Sequence, residues 1–158
     1  MFLIDNSYYK IKNTKGKGRG VFAEKIIKAK TIIGEYAGEK VEIEKYDLEK
    51  DKYGLYLMFL NDEYAIYPDL TKIDIYLINH SCEPNCWIMN HDDHVYFFAL
   101  RDIKVEEELT ISYLLPPKDK ICNPCNHICK CGGKKCTGSM HQTQRQFERW
   151  QAFQKKLC

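Results

Sequence analysis

No stretch of this 158-residue chain approaches the roughly 20 apolar residues that a membrane helix needs. The amino terminus, MFLIDNSYYK, lacks a basic region ahead of a sustained apolar run, so it does not read as a secretory signal. Neither export nor membrane insertion is expected, and an intracellular location is. A large net charge is also missing: +2 is too small to imply nucleic-acid binding by itself. No internal repeat is visible. The G-x-G-x-x-G spacing of a dinucleotide fold is absent, and few segments carry a helical apolar period.

What is present bounds the answer further. The length suits one compact domain with little left over for a second. Hydrophobic residues make up 44% and aromatics 13%, which argues against disorder outside termini and loops. Charge is segregated along the chain: Lys10 to Lys30 is basic and Glu35 to Asp51 is acidic. Such runs are ordinarily solvated faces; the functional alternative is an acidic rim for a basic peptide. Eight cysteines in an intracellular chain point to metal binding before disulfides. Seven of them cluster between Cys82 and Cys136.

The first two thirds read as short strands separated by turns. Extended segments are expected at Tyr8 to Ile11, Val21 to Ala23 and Thr31 to Tyr36, rich in β-branched and aromatic residues. Leu55 to Leu60 and Tyr64 to Tyr67 resemble a hairpin with Asn61-Asp62 near its turn. Val95 to Leu100 and Leu109 to Leu115 are further candidates, while the charged stretch Glu39 to Lys52 reads as a helix or a loop. Pro116-Pro117 marks a break. Beyond it the composition turns to cysteine, lysine, glycine and asparagine, too polar to hold a core without a staple. Phe147, Trp150, Phe153 and Leu157 recur at near-helical spacing and predict a short amphipathic C-terminal helix that packs on the domain.

Four constellations could carry chemistry. Gly18-Arg19-Gly20 before an apolar strand gives a backbone that a ligand can approach closely, although such turns commonly only connect strands. Asn79-His80-Ser81-Cys82-Glu83-Pro84-Asn85-Cys86 is polar between apolar flanks, which suggests a buried loop whose polar groups find partners inside. Glu107 to Tyr113 is an alternating strand ending in a tyrosine, a residue that more often packs than catalyses. Cys122-x2-Cys125-x3-Cys129-x-Cys131-x4-Cys136 is a strong zinc signal. From spacing alone the ligands are either Cys122, Cys125, Cys131 and Cys136, or Cys129, Cys131 and Cys136 with a distant cysteine.

The order of these pieces resembles that of SET-domain protein lysine methyltransferases with a post-SET zinc tail. The stretches that carry the resemblance are Lys17 to Ala23, Glu35 to Glu39, Asn79 to Cys86, Ala99 to Ile103, Glu107 to Tyr113 and Cys129 to Gly138. These short stretches, in the right order over roughly residues 15 to 138, make it specific. The resemblance implies a mostly β fold, β-clip-like with a pseudoknot in which the segment ending at Tyr113 threads a preceding loop. It implies a SET domain over 8–115, a zinc-binding post-SET segment over 116–140 and a helix over 141–158. It assigns S-adenosylmethionine binding to Gly18, Arg19, Gly20, Asn79, His80 and Tyr113, and catalysis to Tyr113 with Tyr36 lining the lysine channel. Structural zinc falls to Cys82, Cys129, Cys131 and Cys136, leaving Cys122 and Cys125 unexplained.

The implied activity is methyl transfer to the ε-amine of lysine in a protein, with a histone tail as the commonest family substrate and chromatin as the location that follows. No direct nucleic-acid binding is implied. The sequence departs from the family pattern ahead of Asn79, where Lys72 to Ile78 lacks the usual arginine and Tyr76 is the candidate substitute. Ile111 and Ile88 offer no extra hydroxyl near the channel, which points to di- or trimethylation. The competing reading is a SET-like module that binds peptide or cofactor without turnover.

Overall fold

The computed structural model describes residues 4–46, 56–120, 122 and 125–154. The part of the acidic stretch beyond Tyr46, the start of the expected hairpin at Leu55, and Leu157 and Cys158 lie outside the described residues, as do the side chains of Trp150 and Phe153. Among the described residues the fold is mostly β. Its strands are β1 (Tyr9–Thr14), β2 (Gly18–Ala23), β3 (Ile32–Glu35), β4 (Gly38–Glu42), β5 (Met58–Phe59), β6 (Tyr64–Pro68), β7 (Asn79–His80), β8 (Cys86–His91), β9 (His94–Ala99) and β10 (Glu108–Ile111). One helix, α1 (Gln144–Gln154), follows. No helix among these residues is long and apolar enough to cross a membrane.

The chain divides into two compact units. One comprises Met1–Asn79 and Asn85–Leu109, the other His80–Pro84 and Thr110–Cys158. In the first unit the strands pair antiparallel in three sheets, and its core is Val21, Ile27, Ile33, Val95, Phe97, Ile103 and Leu109, each at most 1% exposed. β1 and β2 form a hairpin in register Tyr9↔Ala23 through Thr14↔Gly18, and Glu108 and Leu109 of β10 pair on the other side of β2. β9 lies between β3 and β8, and β6 between β4 and β5. Alternate residues Val95, Phe97 and Ala99 of β9 are fully buried, the two-residue period of a half-buried strand.

Three elements differ from the sequence reading. β8 was expected only as the apolar flank of a loop, because its hairpin turn has no glycine. Asp92 and Asp93 nonetheless adopt φ of 47° and 63°, left-handed at both central positions as the twist of a two-residue hairpin requires. Glu39 to Lys52 reads as a helix or loop from the sequence, but its start belongs to β4, which is paired along its whole length with β6. Its side chains are largely exposed, so it carries little apolar signal. A Cβ on Gly38 would collide with the Tyr67 carbonyl, which explains the glycine at the start of that ladder. The expected strand Leu109 to Leu115 stops at Ile111, and Leu114 turns the chain with φ of 53°.

In the polar run after Asn79, His80, Ser81, Asn85 and Cys86 are buried, while Cys82 and Pro84 are half-buried and Glu83 is exposed. Asn85, 3% exposed, donates through Nδ2 to Glu108 O at 2.8 Å and to Glu107 Oε1 at 3.0 Å. Glu107 also accepts from the Arg101 guanidinium at 2.5 Å and the Lys104 N–H at 3.0 Å. Partial burial pushes the Glu107 carboxyl up, but Arg101, the Lys104 N–H and Asn85 outweigh it and hold the pKa at about 2. Because the folded value lies below the ordinary 4.5, this stabilisation is present above pH 4.5 and is lost as pH falls through about 2. Discounted for the exposed guanidinium, it amounts to about 1–2 kcal/mol. Thermal melts of wild type and Glu107→Gln are expected to differ by that amount at pH 6 and to converge toward pH 2. A difference independent of pH would assign the loss to packing instead.

The second unit contains, among the described residues, only Ile111 and Cys129 as buried apolar side chains. Backbone bonds and sulfur organise it. Ser81 N donates to Ile111 O at 2.8 Å. An antiparallel ribbon is held by Cys129 N to Gly138 O at 3.1 Å and Met140 N to His127 O at 2.9 Å. α1 opens on a capping box: Thr143 Oγ1 accepts from Gln146 N at 3.3 Å and Gln146 Oε1 accepts from Thr143 N at 2.8 Å.

Candidate functional site

In the first unit the glycine turn, Asn79 and Glu108 converge. Asn79 Nδ2 donates to Arg19 O at 3.0 Å and to Glu108 Oε1 at 2.9 Å, while Lys17 Nζ meets Glu108 Oε2 at 2.5 Å. Both amide protons of Asn79 are thus engaged, and it offers a ligand only its acceptor Oδ1. A Cβ on Gly20 would lie 2.7 Å from Asn79 Nδ2, 2.8 Å from Glu108 Oε1 and 2.9 Å from Thr14 Cγ2. A side chain at position 20 would therefore have to displace Asn79, Glu108 or Thr14 from the clamp. Gly18 differs: its φ is +76° and nothing lies within 4 Å of its Cβ position, so the backbone there is open to approach. The Arg19 side chain is exposed. Lys17 and Glu108 were not singled out from the sequence; a basic and an acidic residue in separate motifs give no signal until the strands pair.

The segment that delivers Asn79 lacks the family's arginine, and the structure supports it by other contacts. Asp74 Oδ1 accepts from Ile75 N at 2.7 Å and from Tyr9 OH at 2.9 Å. Burial, and then the Asp74 carboxylate, push the Tyr9 phenol up, so it stays a donor. Ile75, Tyr76 and Leu77 form a buried single turn, with the Tyr76 hydroxyl donating to Lys72 O at 2.9 Å. Tyr76 packs edge-on to Tyr56 with centroids 5.4 Å apart. Tyr36, 3% exposed, lies edge-on to Phe97 at 5.9 Å, and its hydroxyl donates to Tyr56 O. Tyr36, Phe97, Tyr56 and Tyr76 thus form a linked aromatic set. Ile88 of β8 is half-buried.

In the second unit His80, 6% exposed, stands between the strand-end tyrosine and the thiols. Its Nδ1 accepts from Tyr113 N at 3.2 Å, which places the ring proton on Nε2, 3.6 Å from Cys82 Sγ. The rings of His80 and Tyr113 meet edge-on at 5.4 Å. The Sγ atoms of Cys82, Cys129, Cys131 and Cys136 all lie within 4.8 Å of one another, with Cys82 and Cys129 3.6 Å apart. Four convergent thiols fit a tetrahedral zinc. The structure brings together the four cysteines that the resemblance implied, the combination that the spacing alternative with a distant cysteine also allowed. Glu83 Oε2 accepts from Lys135 N at 3.1 Å and fills the space a Cβ on Gly133 would need, shaping the knuckle between Cys131 and Cys136. Burial opposes ionisation of Cys131, but the N–H groups of Cys82 and Gly133 outweigh it and bring the thiol down to about 6; burial pushes Cys129 up.

Cys122 and Cys125, unexplained from the sequence, stand with His127 and His141, two histidines that the sequence reading did not single out. The signal available was Cys122-x2-Cys125-x-His127.

The SET domain family matches residues 18–114. The chain is 35% identical over 129 residues to Histone-lysine N-methyltransferase trithorax of Drosophila virilis, covering 75% of this chain and 3% of that relative. It is 34% identical over 138 residues to Histone-lysine N-methyltransferase TRX1 of Oryza sativa subsp. japonica, covering 80% and 13%. It is 32% identical over 135 residues to Histone-lysine N-methyltransferase, H3 lysine-36 specific, of Mus musculus, covering 79% and 5%. The chain thus spans a small part of the length of these relatives. The family match over residues 18–114 contains the Gly20–Asn79–Glu108 clamp, His80 and Tyr113, and on that basis the chain belongs to the SET-domain family.

Proposed function

We propose that this chain transfers methyl groups from S-adenosylmethionine to lysine ε-amines in a protein, with a histone tail as substrate and chromatin as its place of action. The observation that carries the reading is the Gly20–Asn79–Glu108 clamp within a chain of this family. Its two glycines, one open to approach and one closed by Asn79, suit a ligand that lies along backbone. On this reading Gly18, Arg19, Gly20, Asn79, His80 and Tyr113 hold the cofactor, within a SET domain at 8–115 followed by the zinc segment 116–140 and the helix 141–158.

A lysine ammonium, with an ordinary pKa near ~10.4, cannot act as a nucleophile until it loses a proton. Tyr36 and its aromatic neighbours supply apolar surroundings that disfavour the charged form. S-adenosylmethionine supplies the activated methyl group and, as a sulfonium, a positive charge that also disfavours the ammonium. The Tyr113 hydroxyl orients the neutral amine, and His80 fixes Tyr113 through its backbone N–H. Most of the acceleration then comes from positioning. Ile111, 2% exposed, and Ile88 provide no hydroxyl to tie up a methylated amine, which favours di- and trimethylated products. The acidic stretch from Glu35 suits a basic tail.

Mass spectrometry of histones and a lysine-peptide panel incubated with the chain and S-adenosylmethionine is expected to show gains of two or three methyl groups on lysine. Cofactor binding with no gain on any of them would replace this reading with a non-catalytic binding module. Gains of a single methyl would sink the product assignment alone.

A further inference from the structure

We propose that Cys122, Cys125, His127 and His141 form a second zinc site, separate from the four-thiolate set and built from two thiolates and two imidazoles. The ligand atoms of these four residues all lie within 4.8 Å of one another. Cys122 Sγ is 3.4 Å from His127 Nδ1 and 3.4 Å from His141 Nε2, Cys125 Sγ is 3.9 Å from His127 Nδ1, and the two ring nitrogens are 3.2 Å apart. A tetrahedral zinc with ordinary bond lengths requires about 3.6 Å between sulfur and nitrogen ligands and about 3.3 Å between nitrogens. The four donors already stand near those separations.

The histidine orientation is a second, independent observation. His141 Nδ1 lies 2.6 Å from Pro116 O, so that nitrogen donates its proton to the carbonyl. Nε2 is thereby left with a bare lone pair aimed at the cluster, the tautomer a metal needs, fixed by a backbone partner outside the ligand shell. Without a metal, two imidazole nitrogens and two thiols would converge with few hydrogens to share among them. The rings stand nearly perpendicular at 87° with centroids 4.9 Å apart, so neither blocks the other's nitrogen.

The scaffold is rigid where it matters. His127 O accepts from Met140 N, and Gln142 N donates to Leu115 O at 2.9 Å on either side of His141. Cys122 N donates to Asp119 Oδ1 at 3.0 Å. His127 and Cys129 lie two residues apart on one strand of the ribbon, so the same ribbon serves both ligand sets. Zinc binding would release two thiol protons and leave a neutral site with no open position, hence a structural one. It pins the segment after Pro116-Pro117 to the ribbon in a unit whose described residues include few buried apolar side chains.

The test counts metal in the full chain, purified reduced and with zinc supplied. Native mass spectrometry is expected to show two zinc ions per chain, falling to one in Cys122→Ser and in His141→Ala. His141→Cys, which keeps a ligand, is expected to hold two, which separates ligand loss from misfolding. Cobalt substitution supplies the second readout: the variants reduced to one ion should keep the intense sulfur-to-metal absorption of the four-thiolate set. One zinc per chain in the wild type, or two in His141→Ala, overturns the proposal. The count does not depend on methyl transfer, so it fails or stands apart from the functional reading.

Discussion

Tyr113→Phe is expected to lower kcat by about 10²–10³-fold, the scale of losing one well-placed hydroxyl at a reacting centre, while folding and cofactor affinity stay within about twofold. The geometry makes this a clean substitution. What His80 holds is the backbone N–H of Tyr113, donated to Nδ1 at 3.2 Å, and phenylalanine keeps that N–H. The edge contact between the two rings, 5.4 Å between centroids, also survives. Only the hydroxyl is lost, so a fall in kcat at unchanged KM for S-adenosylmethionine assigns it a role in the transition state alone. Steady-state kinetics on the best peptide, beside calorimetric cofactor binding, separates the possibilities. An unchanged kcat would remove the Tyr113 hydroxyl from catalysis; equal losses in binding and rate would show that the hydroxyl itself, and not only the ring and backbone of Tyr113, holds the cofactor.

How much of this was legible in the sequence depended on the kind of signal. Strands with a buried face, such as β9 with Val95, Phe97 and Ala99, advertise themselves by alternation. β4 does not, because its pairing with β6 is made by backbone bonds and its side chains face water. β8 hid behind an Asp92-Asp93 turn that adopts left-handed φ without glycine. Motif recognition reached Gly20, Asn79 and His80 but not why they matter together. The clamp needs Glu108, and Glu108 needs Lys17, 91 positions away in the chain. Cysteine density announced metal, yet it favoured cysteines as ligands and passed over His127 and His141, which enter only when the ribbon closes. Spacing along the chain cannot report a partner 14 residues further on when no regular period connects them.

Cys129→Ser carries the second large effect, and it tests how far the thiolate set supports the tyrosine. Cys129 is 7% exposed and its thiol is pushed up by burial, so a bound cation is what would make it a thiolate. Serine is a poor zinc ligand, and it would leave a buried hydroxyl among three sulfurs. Structural zinc of this kind contributes on the order of 10 kcal/mol to small domains, far more than the one or two buried apolar side chains among the described residues of the second unit can replace. The variant is expected to lose one zinc ion and to expose the ribbon 127–140 to trypsin at Lys130, Lys134 and Lys135. The first unit, with its own core, should remain folded. The consequence should reach catalysis through one atom: Cys82 Sγ is the partner of His80 Nε2 at 3.6 Å. When the thiolate set is lost, Cys82 Sγ is no longer held beside His80 Nε2, and the ring whose Nδ1 accepts from Tyr113 N is less firmly placed. Methyl transfer is therefore expected to fall by about 10–100-fold, although no cysteine would touch substrate. Zinc content, proteolytic pattern and rate measured on the same preparation decide the matter. Loss of zinc with the rate unchanged would show that His80 holds Tyr113 without help from Cys82.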